Sequence, residues 1–274
     1  MIQFDNANIP KHLREKISLP FSIAYFSTNR RIIIDTKAYW GIVNPYEIQN
    51  IIQSYREYPI SDTIFIFLIT DSVESFYIPT NVRLYRTSLL KSTQRTNEHL
   101  LPYIWEGIST PFPPLDRTEK PIIGFCGLVS PYRIETLNIF TQDERCKTNY
   151  ILRNEFWGGN PHNKTIVDDF ESNMCNSHFN ICNRGNGNFS MRFYQTLSAG
   201  RIPILLNTDM VLPLDDKIDW KKYIVLANTE KELVENTIVF WNTRNIAIAQ
   251  TKCREIYDAY FSGTLFLDSI LTNI

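Results

Sequence analysis

The chain has 274 residues, 43% hydrophobic and 21% charged, which suits a globular protein with one large core or two small ones and argues against a disordered or fibrous one. Lys and Arg number 28 against 29 Asp and Glu, so a net charge of -1 supplies no long-range field for nucleic acid or an anionic membrane. The five cysteines, Cys126, Cys146, Cys175, Cys182 and Cys253, are odd in number and form no C-x-x-C pair, which points to reduced, buried thiols rather than zinc or redox chemistry.

Residues 1–16 mix Asp5, Lys11, Arg14 and Glu15 with apolar side chains and hold no run long enough for a signal peptide or membrane span, so a soluble, cytoplasmic chain is expected. Beyond them, short β-branched runs alternate with helix-like stretches, the pattern of βαβ units around mostly parallel sheets, and the predicted class is α/β. Strands are predicted over residues 21–26, 31–35, 63–70 and 82–85. A helix is predicted over residues 45–58, opened by Asn44-Pro45 and carrying Ile48, Ile51, Ile52 and Tyr55 on one face. Pro102, Pro111, Pro113 and Pro114 mark a stiff extended connector, dividing the chain into residues 1–115 and 116–274. In the second part, strands are predicted over residues 121–126, 147–152, 178–182, 202–206 and 223–226, and helices over 133–140, 166–175, 190–199, 230–241 and 246–261.

Residues 179–206 place in succession a strand, a loop with two glycines and an arginine, a helix with a second arginine in its first turn, and another strand. Ligands of open α/β sheets sit beyond the carboxyl ends of the strands, where a helix start offers free N–H groups and a positive dipole end to an anion. Gly185 and Gly187 allow close backbone approach, Ser190 is a suitable N-cap, and Arg184 and Arg192 add planar charged forks suited to phosphate oxygens. The spacing is neither that of a Walker loop nor of the dinucleotide fingerprint. An ordinary Gly-Asn turn with two surface arginines is the competing structural reading.

The same stretch resembles the signature of the exostosin-like glycosyltransferases, the family of heparan-sulfate polymerases and plant cell-wall transferases. Ser177, Phe179, Arg184, Gly185, Gly187, Ser190, Arg192, Phe193, Leu197, Gly200, Ile202 and Pro203 match its pattern in order. The match continues through Leu212, Pro213, Asp216, Ile218, Asp219 and Trp220, and Phe125-Cys126-Gly127 stands where the family has F-x-G. The resemblance implies a GT-B architecture of two Rossmann-like halves across a cleft, a compact N-terminal acceptor side, and a C-terminal half holding a UDP-sugar transferred with inversion. It implies a donor set of Arg184, Gly185, Asn186, Gly187, Ser190, Met191, Arg192 and Gln195, joined by Gly127 and Arg133. Gln195 departs from the family's glutamate, and a compact chain without the family's long N-terminal region and membrane anchor is expected.

Inverting transfer needs a base for the acceptor hydroxyl and stabilisation of the departing diphosphate. No two aspartates have the D-x-D spacing, so no divalent metal or cofactor is expected, and Arg184, Arg192 and the Ser190 helix start take the leaving-group charge. Base candidates are Asp71, after the strand of residues 63–70, Glu74 one turn on, and Asp35 at the end of an earlier strand. Asp215, Asp216 and Asp219 are expected to position the loop after Leu206, and Tyr39, Trp40 and Trp105 to be core aromatics or sugar-stacking faces. The expected partners are a nucleotide-sugar donor and a glycan acceptor, with xylose the first choice of sugar. A fucosyltransferase-like enzyme using GDP-fucose and a catalytically silent nucleotide-sugar or glycan-binding module remain alternatives. Of the two sequons, at Asn163 and Asn188, a glycan on the second would block the donor loop, which favours a cytosolic chain.

Overall fold

A computed structural model describes residues 32–40, 42–103, 108, 110–160, 162–263 and 265–266, with only the backbone described for 32–40 and Trp157. The strand expected over residues 21–26 and the side chains of Tyr39, Trp40 and Trp105 lie outside the described part.

The first sheet runs in the order β1 (Ile32–Trp40), β2 (Thr63–Ile69), β3 (Val82–Arg86) and β4 (Glu98–Leu100), each strand parallel to the next. After β1, α1 (Pro45–Gln53) starts where Asn44 accepts from the Tyr46 N–H and Pro45 supplies a φ suited to a helix start. Its apolar face seats Ile48 and Ile52 in the core, with Ile51 and Tyr55 packed partly against it, as the periodicity predicts. The helix is shorter than expected. Residues Ser54–Glu57 tighten to a 3-10 turn because Pro59 forces Tyr58 into extended backbone.

Strand β2 is an unbroken apolar run buried on both faces, the mark of a covered parallel sheet. Ile64, Ile66 and Leu68 pack with Ile48, Ile52 and Phe76. The alternate residues Phe65, Phe67 and Ile69 share a second cluster with Phe125, Phe179, Phe189 and Phe193 of the other half, so β2 bonds the two halves through one apolar core. Strand β4 gives no hydrophobic signal because its first residue, Glu98, is buried as the 2.8 Å ion-pair partner of buried Arg86. Arg86 also donates to the carbonyls of Ser72 and Glu74 at 3.4 and 2.8 Å, pinning the segment that follows β2.

The second sheet runs β6 (Lys147–Arg153), β5 (Ile122–Leu128), β7 (Phe179–Ile181), β8 (Ile202–Leu206) and β9 (Val225–Ala227), again all parallel. Its helices are α2 (Pro131–Gln142), α3 (Lys164–Cys175), α4 (Met191–Ser198), α5 (Glu230–Thr243) and α6 (Ile246–Tyr260), close to the predicted spans. Side-chain caps start four of them: Asn163, Ser190, Thr229 and Asn245. Chain order reverses between β5 and β7, so this sheet has a switch point whose crevice opens at the carboxyl ends of those two strands. Two all-parallel α/β sheets joined in this way make a GT-B-like fold.

The proline-rich connector is docked rather than free-standing. Arg201, fully buried, donates to the carbonyls of Pro113 and Cys175 at 3.2 and 2.8 Å and stacks 5.6 Å from the Phe112 ring. Gln250 of α6 exchanges two hydrogen bonds with the Leu115 backbone, at 3.1 and 3.2 Å. Among the described residues no helix is long and apolar enough to cross a membrane.

Candidate functional site

At the switch point stands the Phe125 ring, with the Arg192 guanidinium 4.4 Å and the Arg133 guanidinium 5.6 Å from its centroid. Arg192 reaches it from the first turn of α4, and Arg133 from the first turn of α2. Arg192 donates one N–H to the Cys126 carbonyl, while its Nε and Nη1 are shielded from solvent and have no partner. Arg133, 8% exposed, donates to the carbonyls of Leu128 and Asn183 at 3.0 and 3.4 Å. Burial lowers the pKa of both, and Arg192's charge helps bring that of Arg133 down to about 10. Among the described residues, neither forms an ion pair with a carboxylate.

Two neighbouring buried cations without a counter-charge cost the fold stability, and an arriving anion offsets that cost through charge-assisted hydrogen bonds. Gly127 makes the room: its φ of +150° suits glycine, and a Cβ there would lie 2.4 Å from Arg192 Nη2.

The glycine loop lies over this pair. A Cβ on Gly185 would meet Arg133 Nη2 at 3.3 Å, and Ser190 accepts from the Arg192 N–H at the start of α4. Met191 and Gln195 are half-buried on the same helix. Arg184 is turned onto its own loop. Its Nη2 donates to the Asn186 carbonyl at 2.8 Å, Nε to the Gly185 carbonyl at 3.3 Å and Nη1 to Asn188 Oδ1 at 3.3 Å, with the guanidinium 4.7 Å from the Tyr132 ring.

The loop also touches the first half. A Cβ on Gly187 would stand 2.4 Å from Ser88 Oγ and 2.6 Å from Asp71 Oδ1. Gly187→Ala is therefore expected to push the loop off the first half. A thermal melt should fall by several degrees, corresponding to about 1–3 kcal/mol of overpacking, and an unchanged melting temperature would contradict this contact.

Asp71 follows Thr70 after β2, as predicted, and accepts the Gly187 N–H. Burial raises its pKa above the carboxylate norm, only partly offset by the Arg184 charge and the Gly187 N–H. Tyr103 is pushed up to about 12, mainly by burial, with the Asp71 charge adding. Glu74 is exposed, and its backbone, not its carboxylate, is engaged by Arg86. Asp35 stands mid-strand rather than at a strand end, because β1 continues to Trp40; it pairs in register with Ile66. Asp215, Asp216 and Asp219 are exposed, with Lys91 3.7 Å from Asp215 and Lys222 3.3 Å from Asp219.

Sequence reasoning did not place Ser88, Tyr132 or Thr208 at the loop, and none of the three carried a local signal; it placed Asn188 there only through its sequon. The folded chain leaves no exposed surface on Asn188, and both ends of its amide are hydrogen-bonded.

Residues 133–239 match the Exostosin GT47 domain family. The chain is 28% identical over 93 residues to the Exostosin-1 homolog of Caenorhabditis elegans, 34% of this chain and 24% of that protein. It is 43% identical over 60 residues to Exostosin-1 of Drosophila melanogaster, 22% of this chain and 8% of that protein. With a probable glycosyltransferase of Arabidopsis thaliana the identity is 26% over 145 residues, 51% of this chain and 30% of that protein. The chain thus spans 8 to 30% of the length of these relatives. The crystal structure of TarM aligns with 88% of this chain and 54% of its own, at 12% identity and a TM-score of 0.47. The matched stretch takes in Arg133, the whole glycine loop and Arg192, so this part of the chain is similar to the exostosin-like glycosyltransferases.

Proposed function

We propose that the chain is an inverting glycosyltransferase that moves a sugar, xylose first, from a UDP-sugar to a glycan hydroxyl without a divalent metal. The observation that carries this reading is the pair of buried, carboxylate-free guanidiniums of Arg133 and Arg192 at the switch point. Their unspent donors suit a diphosphate, whose charge grows as the anomeric carbon–oxygen bond breaks. The acceptor oxygen forms the new bond to that carbon, its proton passes to the Asp71 carboxylate, and the nucleoside diphosphate departs with its charge on the two arginines. Asp71 supports the base role by its place across the loop and by its raised pKa.

Gln195, where the family pattern has glutamate, favours a second reading: a module that binds the nucleotide sugar but does not turn it over. Titration calorimetry of the chain with UDP, UDP-xylose, UDP-glucuronic acid, UDP-galactose and GDP-fucose, in EDTA and again with Mg²⁺, tests the donor site. EDTA-insensitive binding of a UDP compound is the expected result. Binding only with Mg²⁺ would remove the metal-free claim, and preference for GDP-fucose would replace the donor. Donor binding with no turnover on any acceptor, restored by Gln195→Glu, would select the silent module.

A further inference from the structure

The amide of Asn188 ties together parts of the site that lie far apart in the chain. Its Oδ1 accepts from Arg184 Nη1 at 3.3 Å and from Thr208 Oγ1, beyond β8, at 2.8 Å. Its Nδ2 donates to the Leu89 carbonyl at 3.3 Å, and its backbone N–H donates to Ser88 Oγ at 3.1 Å, both in the first half. The side chain is fully buried. One amide thus joins the arginine of the glycine loop, the exit of β8 and the segment after β3. On the first-half side it lies next to Gly187, whose N–H is bonded to Asp71.

A buried amide with both ends used has one low-energy orientation, since rotating it by half a turn would set donors against donors. Arg184 has no carboxylate partner among the described residues; apart from Asn188, its donors go to carbonyls of its own loop. Those carbonyls move with the loop and cannot define where the guanidinium stands. Asn188 is the acceptor anchored outside the loop, through Leu89 and Thr208.

We infer that Asn188 is a positioning residue that sets the Arg184 guanidinium for the nucleotide diphosphate and couples the donor loop to the half carrying Asp71. This inference rests on the proposed donor reading.

A double-mutant cycle on UDP affinity separates positioning from bulk stability. Calorimetry would compare the full chain with Asn188→Ala, Thr208→Val, Arg184→Gln and the two double variants. Asn188→Ala is expected to weaken UDP binding about tenfold, as loss of a hydrogen bond to a charged group does. Thr208→Val, which removes one anchor and leaves the amide in place, should weaken it a few-fold. In the Arg184→Gln background both effects should vanish.

Effects that persist undiminished in that background would overturn the inference, because a merely structural role acts equally with or without Arg184. If Asn188→Ala does not fold, the Thr208→Val arm of the cycle decides by itself. Absence of UDP binding by the unaltered chain would overturn the donor reading itself, an outcome distinct from an additive cycle on a chain that binds.

Discussion

Arg192→Met is expected to weaken UDP binding by about 100-fold, the magnitude of losing charge-assisted hydrogen bonds in a shielded site, while leaving the melting temperature unchanged or raised. The two effects have opposite signs for one reason. In the ligand-free chain, Arg192 is a desolvated cation with two unpartnered nitrogens, beside a second cation and against an aromatic ring. Replacing such a charge with an apolar side chain of similar length removes a desolvation penalty that the Cys126 carbonyl and the Phe125 ring offset only in part. Transfer should suffer further, because the diphosphate's charge is greatest as it departs; removal of one such donor costs kcat roughly 100- to 1000-fold. Calorimetry and a thermal melt on the same preparation check both halves. A variant that melts lower and still binds UDP would make Arg192 a structural residue.

Asp71→Asn is expected to abolish most transfer, roughly 100- to 10,000-fold in kcat, with UDP affinity unchanged or slightly improved. The amide oxygen introduced by this substitution can still accept the Gly187 N–H, so the loop keeps its contact, but an amide cannot take a proton. The pH profile makes the assignment sharper. A base works only when deprotonated, so activity is present above the folded-state pKa and lost as the pH falls through it. Burial raises that pKa above the usual carboxylate range, so the acid limb should lie higher than for a solvated aspartate. Arg184 lowers it, so Arg184→Gln should move the limb to still higher pH. For stability the sign reverses. An acid whose folded pKa is raised favours the fold when protonated, so this contribution is lost as the pH rises through the folded pKa. Asp71→Asn should therefore be no less stable than the parent at neutral pH. An acid limb that stays in place in Arg184→Gln would remove Asp71 from the role of base.

Local signals carried far in the second half. The β-branched runs and helical periods of residues 121–261 each became the expected element, because strand pairing and helix burial there follow the ordinary periods of two and 3.6. Arg184, Arg192 and Ser190 were legible because a glycine loop leading into a capped helix has a fixed residue order. Glu98 was not. A charged residue at the start of a three-residue strand looks like loop until Arg86, on the neighbouring strand, is known to face it. Asp35 misled for a related reason: an acidic residue ends an apolar run in sequence, yet β1 continues past it along β2 to Trp40.

By itself, then, the sequence determined the α/β class, the order of nearly every element and the place of the glycine loop between β7 and α4, all consequences of residue types at short spacing. Only the tertiary structure decided which chemistry converges there. Arg133 joins Arg192 because α2 and α4 both start at the carboxyl edge of one sheet and their first turns meet on Phe125. Ser88, Asn188 and Asp71 meet because alternate residues of β2 bury into the second half's core and carry that strand's end against the loop. Such contacts span about 100 residues of chain, and no period or motif within either segment encodes its partner.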